Sequence, residues 1–383
     1  MMHVLVVTVV HHPEDARILH RQIAALIAHG HTVTYAAPFT ARATPPRPGV
    51  EGVDLPRATG RDRRAAVREA RRLLALRGPT VDAVVLHDPE LLLTLPRTLR
   101  HWHRTGARRP AVVWDVHEDT AAALAMKGWV PRPLRPPLRL VVRAAELAAE
   151  QHLHLLLAEH AYQRRFRRTH PVVPNLVTVP EDPPPAGDER VVYLGQMSRA
   201  RGAEELVAMA RLLAPDVRVE LIGAADGDVR AVLAAADRDG VLRWHGFLPN
   251  DAALDRLRGA LAGVSLLRDE ANYRHSRPTK VVEYMAYGIP VVSTPNPLAA
   301  ELVRGHDCGL LVPFQAPAAA ADAVRRLRDD PELRRAMGAR GHAAARGALH
   351  WPDCAARFVT SLEGWAVAAA TAAGERPRAV RPS

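Results

Sequence analysis

Short runs of β-branched residues alternate with amphipathic stretches along this chain, and a single proline-rich break interrupts the alternation before it resumes. His3 to Val10 has the pattern of a buried strand. A helix opened by Asp15 follows, with Ile18, Leu19, Ile23, Leu26 and Ile27 as its apolar face and Gly30 as its stop. His31 to Ala37 returns as a strand, so the first unit is βαβ and its strands pair in parallel. Further strands are expected at Val81 to His87, Ala111 to His117 and Leu153 to Ala158. Between Pro171 and Asp188 the prolines are too dense for the interior of any element. Strand patterns then restart at Arg190 to Gly195, Val217 to Gly223, Leu242 to Phe247, Gly263 to Leu267, Ile289 to Ser293 and Gly309 to Val312.

The economical reading is an α/β chain of two Rossmann-like domains. Residues 1–175 form the first and residues 189–350 the second. A C-terminal helix over 351–372 crosses back to the first domain, and residues 374–383, rich in Arg and Pro, form a disordered tail. The length of 383 residues suits two cores better than one, and 48% hydrophobic residues supply them. With 4% aromatics, Leu, Val and Ala must do most of the packing.

The net charge of +11 suits phosphorylated ligands, an anionic membrane or nucleic acid. Nucleic-acid binding also needs stacking aromatics or a reading module, and neither is visible, so no nucleic-acid partner is expected. Arg132, Arg135, Arg139 and Arg143 recur at roughly helical spacing among Leu and Val. They read as a solvated helix face or as a surface helix for anionic lipid. Two cysteines, Cys308 and Cys354, make neither a disulfide framework nor a metal cluster. The apolar start is short, lacks a basic leader and runs into charged residues, and no stretch is long enough to span a bilayer. The expected location is the cytoplasm, with peripheral contact at the inner membrane face as an option.

Ligands of open α/β sheets bind beyond the carboxyl ends of the strands. Polar residues gather at those ends here: His11-His12-Pro13-Glu14-Asp15, His87-Asp88 and Asp115-Val116-His117-Glu118 in the first half. In the second half come Gly195-Gln196-Met197-Ser198-Arg199, Ile222-Gly223 and His245-Gly246-Phe247. Packing alone does not require this clustering, so a cleft between the domains is the expected site. The segment from Ser276 to Val292 carries the most information. Pro278 precedes a helix and Lys280 lies in its first turn, where backbone N–H groups and the helix dipole favour a phosphate. Glu283 follows on the same face, as a carboxylate accepting from ribose hydroxyls would need. A capped helix with a Lys–Glu surface pair is the alternative.

That segment resembles the donor-site helix of the retaining GT-B glycosyltransferases of family 4 (glycosyl transferases group 1), close to S-x-P-x-K-x-x-E-Y-M-A-x-G-x-P-V-V. Other pieces match in order: Asp15-Ala16-Arg17-Ile18, Gly30-His31-Thr32-Val33, His87-Asp88-Pro89, Asp115-Val116-His117-Glu118, Pro174-Asn175, Tyr193-Leu194-Gly195 with Arg201-Gly202, and His245-Gly246. The likeness runs to about residue 370. It implies a GT-B fold and sugar transfer with retention from a nucleotide diphosphate-sugar to a glycan, lipid-linked or small-molecule hydroxyl.

Carried over, the resemblance puts Lys280 and Arg201 on the donor diphosphate beside Gly195, with Arg199 a neighbouring candidate. Glu283 would hold the ribose, and the turn His245-Gly246-Phe247-Leu248 would sit by the nucleobase. His117 would face the transferred sugar, so His117, Arg201 and Lys280 are the catalytic candidates. His12, Asp15, Arg17, His87, Asp88, Glu118 and His275 fall on the acceptor and sugar side. Cations at the diphosphate stabilise the charge that develops as the bond breaks, and neither a cofactor nor a metal is expected.

The chain departs from the family pattern in three places. His275 stands where many members have an acidic sugar contact, with Asp269 or Glu270 as substitutes. His11-His12-Pro13-Glu14 replaces a Gly-Gly loop. Gln196 replaces a first arginine, which leaves more of the phosphate to Arg201.

Asp226-Gly227-Asp228 imitates a D-x-D metal motif but follows a strand and precedes a helix, as N-cap residues do. His152 and His154 fall on one face of a strand, as do His101 and His103 if that segment is extended. Two histidines without a third ligand are weak metal evidence. No nucleophile elbow, P-loop or G-x-G-x-x-G follows a strand, which argues against a hydrolase, kinase or dehydrogenase. A sugar-nucleotide epimerase on the same fold and a non-catalytic protein for anionic surfaces remain the alternatives. A glycogen-type phosphorylase would need a longer chain and a cofactor lysine.

Overall fold

The computed structural model describes residues 1–117, 133, 135–187, 189–274 and 277–374. Two compact units divide the chain: Met1–Asn175 together with the C-terminal segment from Asp353, and Leu176–Pro352. Among the described residues no helix is long and apolar enough to cross a membrane.

In the first unit β1 (His3–Val7), β2 (Thr32–Ala37), β3 (Glu51–Asp54), β4 (Ala83–Leu86), β5 (Ala111–Val116) and β6 (His154–Leu157) form one parallel sheet. Its order is β3-β2-β1-β4-β5-β6. The strands are nearly continuous apolar runs because helices cover both faces of such a sheet. Sequence patterning does not reveal β3. It is a four-residue edge strand, Glu-Gly-Val-Asp, with little burial to impose an alternation. The core is chiefly Leu, Val and Ala, with Trp102 and Trp114 as its largest members.

The first helical segment departs from the regular helix expected. Ile18–Ile23 is a π-helix, with the Gln22 amide donating to the Arg17 carbonyl at 3.0 Å, and Ala24–Ala28 continues as α-helix. The wider turn shifts the buried face. Ile18, Leu19, Ile23 and Leu26 are buried, but Ile27, expected on that face, is 42% exposed. Asp15 Oδ1 accepts from the backbone amides of Arg17 and Ile18 at 2.9 and 3.0 Å, closing the start. Gly30, in the left-handed region at φ +77, closes the end.

Two histidine placements are corrected. His101 and His103 lie in the helix Leu95–Thr105, two positions apart and therefore on different faces. His152 ends the helix Arg135–His152, so it shares no strand with His154. His154 stacks on Trp365 of the C-terminal helix, with centroids 4.7 Å apart and planes 13° from parallel. That helix is further held within the unit by Glu363, 3.2 Å from His31.

The second unit repeats the design. β7 (Arg190–Leu194), β8 (Arg218–Ile222), β9 (Arg243–Gly246), β10 (Ala262–Ser265), β11 (Val291–Ser293) and β12 (Gly309–Leu311) are parallel, in the order β12-β11-β10-β7-β8-β9. In both units the strand order reverses beside the first strand, between β1 and β4 and between β7 and β10. A crevice opens at such a switch point. The second core is again aliphatic, built on Val191, Leu206, Leu221, Leu233, Val264 and Leu327 among others.

Candidate functional site

In the first unit the switch point is built around two buried carboxylates. Asp88, just beyond β4, reaches across to the end of β1. Its Oδ2 accepts from the Thr8 hydroxyl at 2.9 Å and from the amides of Val9 and Val10 at 2.5 and 3.1 Å, and its Oδ1 lies 2.6 Å from His11 Nδ1. Burial works to raise its pKa, but His11 and these donors override it and hold the carboxyl at about 2. Asp115, on β5, is fully buried and gripped in a fork by Arg17. Arg17 Nε donates to Oδ2 at 2.7 Å and NH2 to Oδ1 at 2.6 Å. Against its burial, the Arg17 charge keeps Asp115 well below the usual carboxylate range. Gln22 adds a bond to Oδ2 at 3.0 Å. The π-helical turn accounts for this arrangement: residues five apart, Arg17 and Gln22, reach one carboxylate.

His117, just after β5, has Nδ1 3.1 Å from the Asp115 carbonyl oxygen and Nε2 3.0 Å from His11 Nε2. His87 is buried, and burial lowers its pKa. Its Nδ1 is 3.2 Å from Asp115 Oδ2 but out of line for a hydrogen bond. His87, Asp115 and His117 offer ligand atoms within 4.8 Å of one another, a spacing at which a metal is conceivable. Arg17 and Gln22 occupy three acceptor positions of Asp115, which ties this carboxylate into a hydrogen-bond network.

In the second unit a cationic cradle forms at the end of β7. Gly195 adopts φ +126, and a Cβ there would meet Lys280 Cε at 3.4 Å, Lys280 Nζ at 3.6 Å and Arg201 NH1 at 3.9 Å. The missing side chain is thus what leaves space between two cations and the backbone. Gly223, at φ +141, lies behind it: a Cβ there would fall 2.1 Å from the Gly195 carbonyl oxygen. Lys280 is in the first turn of the helix Thr279–Ala286, with Pro278 as its N-cap. Its ammonium donates to the Tyr193 hydroxyl at 3.2 Å and lies 4.4 Å from that ring's centroid. Burial, with Arg201 adding to it, pushes Lys280 down to about 7. Arg201 also bonds the hydroxyls of Tyr193 and Tyr273, and its pKa stays raised despite burial. Tyr284 ties the cradle to the sheet, accepting from the Leu194 amide at 2.9 Å and donating to the Val264 carbonyl at 3.1 Å.

The structure therefore brings together Gly195, Arg201 and Lys280 in one unit and Arg17, His87, Asp88 and His117 in the other, with Asp15 partly buried at the start of the π-turn. Glu283 is buried on the Lys280 helix and acts on that ammonium electrostatically. Arg199 stands apart with a 58% exposed side chain, paired to Glu204 at 3.2 Å. His245 is turned to Glu220 of β8 at 3.0 Å, while Gly246 has φ +69 and Phe247 is 45% exposed. Asp226 occupies the N-cap position expected, but its carboxylate accepts from Gln196 Nε2 at 2.7 Å and caps no amide. Glu118, His275 and Arg132 lie outside the described residues.

Sequence reasoning points to His12 at the first strand end, and the structure brings in His11 instead. The His12 ring accepts from the Glu14 amide at 3.1 Å, and burial with nearby Arg42 lowers its pKa. Tyr193, Tyr273 and Thr8 complete the two networks. The one sequence signal for His11 is its three-residue spacing from Thr8, whose hydroxyl oxygen accepts from the His11 amide at 3.1 Å.

Two Rossmann-like units of this strand order define the GT-B architecture of glycosyltransferases. Sucrose-phosphate synthase from Thermosynechococcus elongatus shares it with a TM-score of 0.70 at 19% identity, over 96% of this chain and all of the other. The Anabaena protein HepE, solved in complex with UDP-glucose, shares it with a TM-score of 0.66 at 13% identity, over 95% of this chain and all of the other. Residues 179–343, which hold the whole cationic cradle, match the family Glycosyl transferases group 1. D-inositol 3-phosphate glycosyltransferase of Arthrobacter sp. (strain FB24) is 30% identical over 181 residues. That match covers 45% of this chain and 42% of the relative, less than half the length of each.

Proposed function

We propose that this protein is a retaining, family 4 glycosyltransferase, carrying a sugar from a nucleoside-diphosphate donor to an acceptor hydroxyl. The observation that carries the reading is the convergence of Lys280 and Arg201 on the space left by Gly195, at the switch point of the second sheet. Buried Lys280 and partly buried Arg201 beside a helix N-terminus form an anion site suited to phosphate groups. The match over residues 179–343 and a structural relative solved with UDP-glucose support a nucleotide-sugar as the anion. Exposed Phe247 offers a base a stacking face. His117 is the group assigned to the transferred sugar.

Retention and metal independence are carried over from the resemblance. The test is transfer from UDP-, GDP-, ADP- and dTDP-sugars in the presence of EDTA, with the product anomer read by NMR. Nucleotide-sugar turnover to an epimer without acceptor would favour an epimerase instead.

A cytoplasmic location with peripheral membrane contact suits a lipid-linked acceptor. On the helix Arg135–His152, Arg139 is exposed beside Leu140 and Val141, themselves 72% and 63% exposed. Sedimentation with anionic but not neutral vesicles, lost in Leu140→Asp, tests this contact.

A further inference from the structure

Two imidazoles meet tip to tip at the carboxyl ends of β1 and β5. His11 Nε2 and His117 Nε2 are 3.0 Å apart, and the rings stand edge to face with centroids 4.7 Å apart. A nitrogen–nitrogen bond at that distance has one proton in it. The far nitrogens are settled by their partners. His117 Nδ1 faces the Asp115 carbonyl oxygen, which can only accept, so that nitrogen carries a proton. His11 Nδ1 lies 2.6 Å from Asp88 Oδ1 and 3.3 Å from Thr8 Oγ1. The Thr8 hydroxyl proton is committed to Asp88 Oδ2, and Asp88 is ionised, so this nitrogen carries a proton too. Both outer nitrogens and the central bond are then protonated, and the two rings together bear one positive charge.

The surroundings favour that charge. Asp88 after β4 and Asp115 on β5 are buried anions, Asp15 at the start of the π-turn is a partly buried one, and the guanidinium of Arg17 is bonded to Asp115. His87 is held toward its neutral form by burial, and Gln22 is uncharged. Farther out, Glu14 pairs with His20 at 2.8 Å, and Glu159 acts on Arg17. Two neutral imidazoles would leave three carboxylates against one guanidinium, whereas one shared proton halves the excess. The side chains of His11 and His117 keep 20% and 14% of their surface, so a ligand oxygen can reach the pair.

We propose that His11 and His117 form an imidazole–imidazolium pair sharing one proton, in which His11 is a positioning residue that keeps a positive charge on the His117 side of the pair, where a substrate oxygen can approach it. The proton pair stands on the hydrogen-bond geometry with Asp88 ionised, while its catalytic consequence rests on the sugar-transfer reading. A fixed positive charge beside the sugar would stabilise negative charge as it builds on that oxygen.

The test is NMR of the full chain with ¹⁵N-labelled imidazoles. The expected spectrum has one downfield N–H proton correlated with Nε2 of both His11 and His117, and protonated Nδ1 on both rings. His11→Phe and His117→Phe each abolish it, and Lys280→Met keeps it. A bare nitrogen on each ring in the wild-type protein, or His117 signals unchanged by loss of His11, would overturn the pair. His11→Gln, which keeps a neutral hydrogen-bonding group, guards against misfolding. It is expected to hold nucleoside-diphosphate affinity and donor KM within about twofold while kcat falls roughly tenfold or more. Unchanged kcat would remove the positioning role even if the shared proton is found. Absence of transfer from every donor would sink the sugar-transfer reading and leave the NMR result intact.

Discussion

The Lys280 ammonium lies 3.2 Å from the Tyr193 hydroxyl and 4.4 Å from the centroid of the same ring. One aromatic residue on β7 thus supplies the cation with both an acceptor and a π face. That hydroxyl donates in turn to the Gln196 carbonyl at 2.8 Å, which orients its lone pairs toward Lys280. Such a site holds the Lys280 nitrogen in place, where an incoming anion can restore the charge that burial disfavours.

Binding of a nucleoside diphosphate is expected to take up a proton. Lys280 titrates at about 7 with the cradle empty because burial and Arg201 disfavour its charged form. A bound dianion reverses that balance. At pH 8, above the phosphate pKa of about 6, calorimetry in buffers of different ionisation enthalpy should show nearly one proton taken up. Affinity should fall by up to about tenfold per pH unit above 7. Stability moves the other way: the unfolded lysine keeps its proton up to about 10.4, so the wild type gains on Lys280→Met as pH rises from 7 to 10. Proton-neutral binding at pH 8 would mean that the anion does not meet Lys280.

Gly195→Ala should separate binding from folding. Its Cβ would enter the space between Lys280 and Arg201, at 3.4 to 3.9 Å from both, and φ +126 is strained for alanine. A cost of about 1–2 kcal/mol in stability is expected, with nucleotide affinity reduced more than tenfold. Gly223→Ala places its Cβ 2.1 Å from a backbone oxygen that no rotamer can clear, so it should lose more stability in urea melts. Equal losses in the two variants would contradict the cradle geometry.

Arg17→Met should destabilise the first unit by about 3–5 kcal/mol at pH 7, since it leaves Asp115 buried without its countercharge. Arg17→Met with Asp115→Asn should recover much of that. The folded pKa of Asp115 is depressed, so its contribution is complete above about 3.9, the unfolded value, and fades as pH falls below it. The gap between wild type and Arg17→Met in urea midpoints should therefore narrow between pH 7 and pH 3. A constant gap would assign the loss to packing alone.

The strand ends were legible because a parallel sheet writes long apolar runs and stops them with polar residues, as at Leu86-His87-Asp88 and Leu194-Gly195. Lys280 and Arg201 were legible because a helix N-terminus and a glycine-ended strand are local patterns. Partners brought from afar were not. Tyr273 reaches Arg201 across 72 positions, and nothing near Tyr193 marks it as the seat of a lysine. His11 and His12 are adjacent and chemically identical. Only the turn that bonds His11 to Thr8 and Asp88 decides which ring faces His117. Ile27 was misplaced for a related reason: one wide π-turn rotates every later side chain, and apolar periodicity assumes a uniform helix.

The central claim is that Lys280, Arg201 and Gly195 hold the diphosphate of a sugar donor. Calorimetric titration of the full chain with UDP, GDP, ADP and dTDP, repeated on Lys280→Met, tests it most directly. At least one nucleotide should bind the wild type at micromolar to submillimolar Kd and weaken tenfold or more in the variant, as loss of a charge-assisted contact implies. Equal affinity in the two proteins, or no binding of any nucleotide by the wild type, would contradict it.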